Sequence, residues 1–271
     1  MKKEIIVADS AGFCFGVKRA VGIAEDFAEK GIPAVTLGEI IHNPVVVDGL
    51  RAKGVYPVDE VSEVPKGATL ILRSHGVPLS VVEELEKKGI PYADATCPFV
   101  ARIHRIVAER TAAGDTVIIT GNPDHAEVKG IIGHAKGDVR VVRNLVELEE
   151  LSKIDENLVK KCITLVSQTT FLRAEWEKCE KFAKKVYTKL LIFDTICNDA
   201  CTKQSEADFL SRRCDGMIVI GGKKSSNTAR LWETCRANCP SVLIEYPSEL
   251  KPNDWNGCKV IGITAGAATP Y

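Results

Sequence analysis

Short apolar runs ending in polar or glycine-containing turns alternate with longer stretches of helical period along the whole chain. The first run is "IIVADS", and it stops at Asp9 and Ser10. There follows "AGFCFG", in which Cys14 lies between two phenylalanines with Gly12 and Gly16 freeing the backbone on either side. "VKRAVGIAEDFAEK" then has the period of an amphipathic helix. Continued to the C-terminal end, the alternation of strand and helix patterns predicts an α/β protein.

Superposing the segments reveals a repeat. "IIVADSAGFCF", "IPYADATCPFV" and "LLIFDTICNDA" each combine an apolar run, an aspartate, a small or hydroxyl residue and then a cysteine that opens a helix: Cys14, Cys97 and Cys197. Pro98 occupies a first helical turn, where proline is tolerated. A second unit, strand plus polar loop, also recurs, in "AVTLGEIIHNPVV", "TVIITGNPDHAEVKG" and "MIVIGGKKSSNTARL". Each is followed by a helix and a valine-rich extended piece, and then by a strand ending in "RSHGVP", "SQTTF" or "TAGAATP". The period is roughly 80–100 residues, and a repeat of this kind brings equivalent loops together. The last copy lacks its strand-and-cysteine turn, which the N-terminal segment can supply, closing the set in a circle. The expectation is three α/β lobes about a pseudo-threefold axis, spanning residues 1–95, 96–193 and 194–271, with the N-terminal strand and Cys14 turn completing the circle. In open parallel sheets ligands bind beyond the carboxyl ends of the strands, so three cysteines and six polar turns should meet at one centre.

Charge and composition narrow the chemistry. Lys plus Arg (36) balances Asp plus Glu (36), and the basic residues form no run, so neither nucleic acid nor a membrane surface is an expected partner. No apolar stretch approaches the ~18 residues of a spanning helix. "MKKEIIVADS" has no signal-peptide pattern, and a cytoplasmic location is expected. The ten cysteines are then reduced thiols, used for metal binding or simply buried. Zinc-ribbon spacing, the ferredoxin cysteine run and CxxC are all absent, so a metal site would have to be assembled from distant cysteines. Cys162, Cys179, Cys214, Cys235 and Cys239, with His104 and His134, read as structural.

Three thiolates leave one coordination position open. Zinc with three cysteines usually takes a fourth protein ligand, whereas an iron–sulfur cluster with three leaves one iron free. The other turns bring His42, His75, His125, Glu127, Thr169, Thr170, Ser225, Ser226 and Asn227. Neutral donors and histidines at helix starts suit an anion such as a phosphate. No GxxxxGK[ST] pattern is present, which argues against a nucleoside triphosphate.

"AGFCFGVKRAV", "IHNP", "SHGVP", "DATCPFV", "HAEVKG", "QTTF", "DTIC", "SSNT" and "TAGA" occur in this order along nearly the whole chain. As an ordered set they resemble the hydroxymethylbutenyl diphosphate reductase (LytB) family of the methylerythritol phosphate isoprenoid route. The resemblance implies a three-lobed α/β trefoil around a [4Fe–4S] cluster held by Cys14, Cys97 and Cys197. The open iron would serve as a Lewis acid for the allylic alcohol, and the cluster would pass electrons singly from a donor such as ferredoxin or flavodoxin. By the same resemblance His42, His75, His125, Ser225, Ser226 and Asn227 face an allylic diphosphate substrate, Glu127 delivers a proton, and Thr169 orients the substrate alcohol. Some positions depart from the family pattern. Ala268 replaces a serine in "TAGAS", and Thr269 beside it would point elsewhere if the strand continued. "HAE" replaces "HPE". Asp199 and Cys201 are additions on the helix after Cys197, where Cys201 reads as buried or spare. The chain also stops at Tyr271, short of a final helix common in the family. One alternative is a paralogous iron–sulfur reductase that dehydroxylates another small anion. Another is a non-catalytic metal or redox sensor, which would need neither Glu127 nor Thr169.

Overall fold

The computed structural model describes residues 3–251 and 255–270. The chain begins β1 (Glu4–Val7), α1 (Phe15–Glu29), β2 (Ala34–Leu37), α2 (Pro44–Ala52), β3 (Tyr56–Val58), β4 (Thr69–Leu72), α3 (Leu79–Lys88), β5 (Tyr92–Asp94) and α4 (Pro98–Ala112). It continues β6 (Thr116–Thr120), α5 (Ala126–Ile132), β7 (Val139–Val142), α6 (Leu145–Ile154), β8 (Cys162–Ser167), α7 (Arg173–Val186), β9 (Lys189–Ile192) and α8 (Asn198–Ser211). The last elements are β10 (Gly216–Ile220), α9 (Ser226–Arg236), β11 (Ser241–Ile244) and β12 (Val260–Ala265).

The strands form three four-stranded parallel sheets ordered β3-β2-β4-β5, β7-β6-β8-β9 and β11-β10-β12-β1. Each order is the same once repeat-equivalent strands are matched, so the molecule is a three-lobed pseudo-threefold α/β trefoil. β1 lies on the third sheet, with Glu4–Val7 aligned against Val260–Ile263. Residues 1–95 therefore contribute to two sheets, and both ends of the chain build the third. Helices cover the parallel strands, which explains why the inner strands read as unbroken apolar runs: every residue of β2 and of β6 is buried. The lobes differ between their second and third strands. The first and third lobes make a 3₁₀ turn closed by Glu63 and Glu249, respectively, whereas the second inserts α6, capped by Asn144.

Each lobe has its own core. In the second, Trp176 and Cys179 are fully buried among Ile118, Leu165 and Phe171. All ten cysteines are free thiols. Cys179, Cys214 and Cys235 are buried, but Cys162, at the first position of β8, is exposed. His104 and His134 stack with ring centroids 4.0 Å apart in a cavity on the outer side of α4, separate from the centre.

Candidate active site

The three cysteines are placed by one repeated device. Each is the N-cap of a helix, α1, α4 or α8, directly after an edge strand. Each backbone N–H donates to the turn that follows the adjacent parallel strand: Cys14 to the Ala267 carbonyl at 3.1 Å, Cys97 to Ser74 at 3.0 Å, and Cys197 to Thr169 at 2.9 Å. The three helix starts pack closely. A Cβ on Gly16 would lie 2.6 Å from the Cys97 sulfur, so only glycine lets α1 approach α4 there. Lys203 is buried and donates to the carbonyls of Ser10 and Gly12, which holds the Cys14 turn against α8. Burial raises all three thiols, Cys14 to about 11, against the opposing pull of backbone N–H groups. In an empty site they are protonated, and a cation must displace those protons to bind.

All three cysteines line one central cavity of about 730 Å³. Their sulfurs do not make a cluster tight enough for one ion, as the ring nitrogens of His42, His75 and His125 do within 4.8 Å among the described residues. Several irons, each taking one thiolate, fit that wider spacing better than a single zinc. Half-buried Cys201 is outside this cavity, where its sulfur accepts a 3.2 Å hydrogen bond from Arg173. It packs beside the core of the second lobe.

The three histidines line the same cavity. His42 and His75 stack at 4.4 Å, and His125 meets them edge-on at 5.6 and 5.4 Å. His125 caps α5 by accepting the Glu127 N–H at Nδ1, 3.1 Å away, so its neutral ring carries the proton on Nε2. Burial, aided by the other histidines and Arg73, pushes His125 down to about 4 and His75 well below the usual histidine range. His75 Nδ1 is buried with no partner among the described residues. His75 and His125 are thus neutral imidazoles in this cage, ready to accept protons when an anion arrives.

The third lobe closes the cage. A Cβ on Gly222 would lie 2.1 Å from the His42 carbonyl, so the glycine turn before Ser225 sits directly on the first lobe. Ser225 caps α9 through the Thr228 N–H. Asn227 is buried, and both its amide nitrogen and its oxygen lack partners among the described residues. Such groups cost about 1–3 kcal/mol each when unpaired, and a polar ligand would relieve that cost. Ser226 Oγ accepts from Thr170 Oγ1 at 3.1 Å and from Gln168 Nε2 at 3.4 Å.

Glu127 is 2% exposed. Its two oxygens accept from the N–H and the hydroxyl of Thr169, each at 2.7 Å. Burial nevertheless raises its pKa to about 7, against those two hydrogen bonds. A carboxyl poised near neutrality inside a cavity is suited to act as an acid. The fold thus brings every expected site residue to the wall of one cavity.

A LytB protein family profile matches residues 5–271. The chain belongs to the LytB family. It is 43% identical to the 4-hydroxy-3-methylbut-2-enyl diphosphate reductase of Caldanaerobacter subterraneus subsp. tengcongensis, over 98% of this chain and 92% of that protein. The enzyme of the same name from Nitratiruptor is 39% identical over 98% of this chain and 94% of its own length. Among solved structures, the E-1-hydroxy-2-methyl-but-2-enyl-4-diphosphate reductase of Plasmodium falciparum superposes with TM-score 0.92 at 26% identity, covering 100% of this chain and 85% of that one. A second, an (E)-4-hydroxy-3-methyl-but-2-enyl diphosphate reductase that is the terminal enzyme of the non-mevalonate pathway, gives TM-score 0.70 at 37% identity, covering 99% of this chain and 95% of that one.

The departures from the LytB pattern have distinct environments. Ala268 lines the cavity and is 7% exposed. The Thr269 hydroxyl donates to the Ile220 carbonyl at 3.0 Å, so it does not replace the missing serine. Asp199 lines the cavity beside Cys197, where burial raises its carboxyl. Arg73 and Gln168 were not singled out in the sequence. Arg73 adds positive charge near the histidines, and Gln168 braces Thr170 and Ser226. Both lie within the repeat turns "RSHGVP" and "SQTTF", which is the signal that marks them.

Proposed function

We propose that the protein reductively dehydroxylates 4-hydroxy-3-methylbut-2-enyl diphosphate to isopentenyl and dimethylallyl diphosphate, the last step of the methylerythritol phosphate route. The overall change breaks a C–O bond, forms a C–H bond, consumes two electrons and two protons, and releases water. The observation that carries this reading is the buried Glu127–Thr169 pair, in the wall of the same cavity as the three thiols and the histidine cage. When bound at Cys14, Cys97 and Cys197, a [4Fe–4S] cluster would supply single electrons and an open iron that polarises the substrate hydroxyl. His42, His75, His125, Ser225, Ser226 and Asn227 would hold the diphosphate. With Glu127 neutral, its Oε2–H donates to Thr169 Oγ1, which passes its own proton toward the substrate hydroxyl so that water leaves instead of hydroxide. The electrons would come from a carrier such as ferredoxin or flavodoxin. No described helix is long and apolar enough to cross a membrane, and the ten free thiols accord with a cytoplasmic location. The test is anaerobic turnover of the diphosphate by protein purified without oxygen. No turnover with the iron site filled would refute the assignment.

Two further outcomes are expected from the anion site. Because His125 and His75 are neutral when the site is empty, a diphosphate should draw protons onto the cage. Calorimetry in buffers of different ionisation enthalpy should record net proton uptake, with binding tightening as pH falls from 8 to 6. No proton uptake would mean that neutral imidazoles bind the anion as donors only. The second outcome concerns Ala268, where the family serine would give one more donor. A hydrogen bond to a charged group contributes roughly 1.5–3 kcal/mol, although water in the gap recovers part of it. Ala268→Ser should lower KM for the diphosphate by about tenfold per 1.4 kcal/mol recovered, with the iron content unchanged. An unchanged KM with weak turnover in both proteins would favour a paralogous reductase acting on another small anion.

A further inference from the structure

The first turns of α1 and α4 share a pattern that the diphosphate site does not use. Phe15 follows Cys14 and is 66% exposed, with Lys18 one turn on. Phe99 lies two residues after Cys97 and is 42% exposed, with Arg102 one turn on. In each pair the aromatic and the cation share a helix face. Large exposed aromatics are unusual on a free surface and mark interaction sites when they gather. The two helix starts that carry them are joined. Arg19 on α1 donates to the carbonyls of Thr96 and Asp94 at 3.1 and 3.0 Å, tying α1 to the turn that opens α4, and Gly16 rests on the Cys97 sulfur.

Phe99 lines both the central cavity and an outer hollow of about 500 Å³ that it shares with Arg102, Asp194 and Asn198. One aromatic ring therefore borders both the thiol-lined interior and the surface. Two cations of the face are unpaired. Lys18 and Arg102 make no ion pair among the described residues, while Asp194 is held by Arg173 at 2.6 Å and Asp199 points into the central cavity. Of the exposed acids nearby, Asp94 accepts the Thr96 N–H with its side chain, and Asp9 lies on the turn before α1, whose N–H groups are held by Glu206. In a chain of zero net charge, these unpaired cations select for an acidic partner.

We propose that the joined first turns of α1 and α4, presenting Phe15, Lys18, Phe99 and Arg102, are the docking face for an acidic one-electron carrier protein. The inference rests on the reductase reading above, because it is that reaction that draws two electrons from outside. Contact is small and transient, as expected of a redox encounter, with the cations setting approach and orientation and the phenylalanines sealing the contact. The carrier leaves oxidised by one electron at each visit, and two visits complete a turnover.

The test uses the holoenzyme with a reduced plant-type two-iron ferredoxin as the probe, beside dithionite-reduced methyl viologen. In Lys18→Glu/Arg102→Glu, KM for the ferredoxin should rise by roughly tenfold or more at low salt, and its salt dependence should flatten. Viologen-driven turnover should stay at the wild-type rate. Lys181→Glu, an exposed charge reversal on α7 of the second lobe, should change neither. Equal losses with both reductants, or an unaltered ferredoxin KM, would overturn the proposal. Binding of oxidised ferredoxin measured by calorimetry tests the same face without turnover. A wild-type enzyme that binds ferredoxin through Lys18 and Arg102 but turns over no diphosphate would refute the substrate and leave the face standing.

Discussion

Serine at Cys14, Cys97 or Cys197 is expected to leave anaerobically purified protein almost without iron, where about four irons per chain are expected of the wild type. A serine oxygen is a hard ligand that stays protonated at neutral pH, so it replaces a thiolate poorly on iron. Neighbouring groups offer no ready substitute. Each thiol sits at its own helix start, fixed by a backbone bond to its own turn, and Cys201 is engaged by Arg173 outside the cavity. Cys201→Ser should therefore keep its iron. Gly16→Ala should lose much of it, because the added methyl would sit 2.6 Å from the Cys97 sulfur. The backbone bonds do not involve sulfur, so the serine variants should fold, with far-ultraviolet circular dichroism matching that of the iron-free wild type. A Cys197→Ser protein that kept its iron while Cys201→Ser lost it would reassign the third ligand to Cys201.

The repeat made much of this legible in advance. Cys14, Cys97 and Cys197 could be matched because each follows the same strand-and-aspartate run, and the missing last strand could be supplied from the N-terminus because the other two copies end in one. What the repeat does not encode is where the copies differ. α6 has no counterpart in the other lobes, although Asn144 before Leu145, Leu148 and Leu151 marks a capped helix. Contacts between lobes were also out of reach, since Gly16 against Cys97 and Gly222 against His42 depend on how three separate units meet. Thr269 shows a finer limit. β12 ends at Ala265, so the residues beyond it form a turn, and only the turn's geometry sends the hydroxyl to the Ile220 carbonyl. The lowered His75 and His125 and the raised Glu127 follow from burial, which the motifs "SHGVP" and "HAEVKG" do not state.

Glu127→Gln should bind the diphosphate with near wild-type affinity yet turn over roughly 10²–10⁴-fold more slowly. Glutamine keeps the shape, and its oxygen can still accept from Thr169, but it has no acidic proton to send through the Thr169 hydroxyl. The pH profile separates this role from a structural one. Burial lifts the Glu127 pKa from 4.5 to about 7, so the acid form prevails below about pH 7 and is lost above it. Wild-type turnover should fall as pH rises through that value, and the residual activity of the glutamine variant should lack this limb. Stability has the same sign. A carboxyl whose folded pKa is raised contributes most below its unfolded value, and that contribution is lost as pH rises through the folded one. The iron-free wild type should therefore lose thermal stability between about pH 4.5 and 7 more steeply than Glu127→Gln. Thr169→Val removes the hydroxyl but keeps the backbone N–H that holds Glu127, so it should slow turnover while leaving Glu127 in place, and Thr169→Ser should restore most of it. A glutamine variant with near-normal turnover and an unchanged alkaline limb would move the proton source to another group in the cavity, with Asp199 the first to examine.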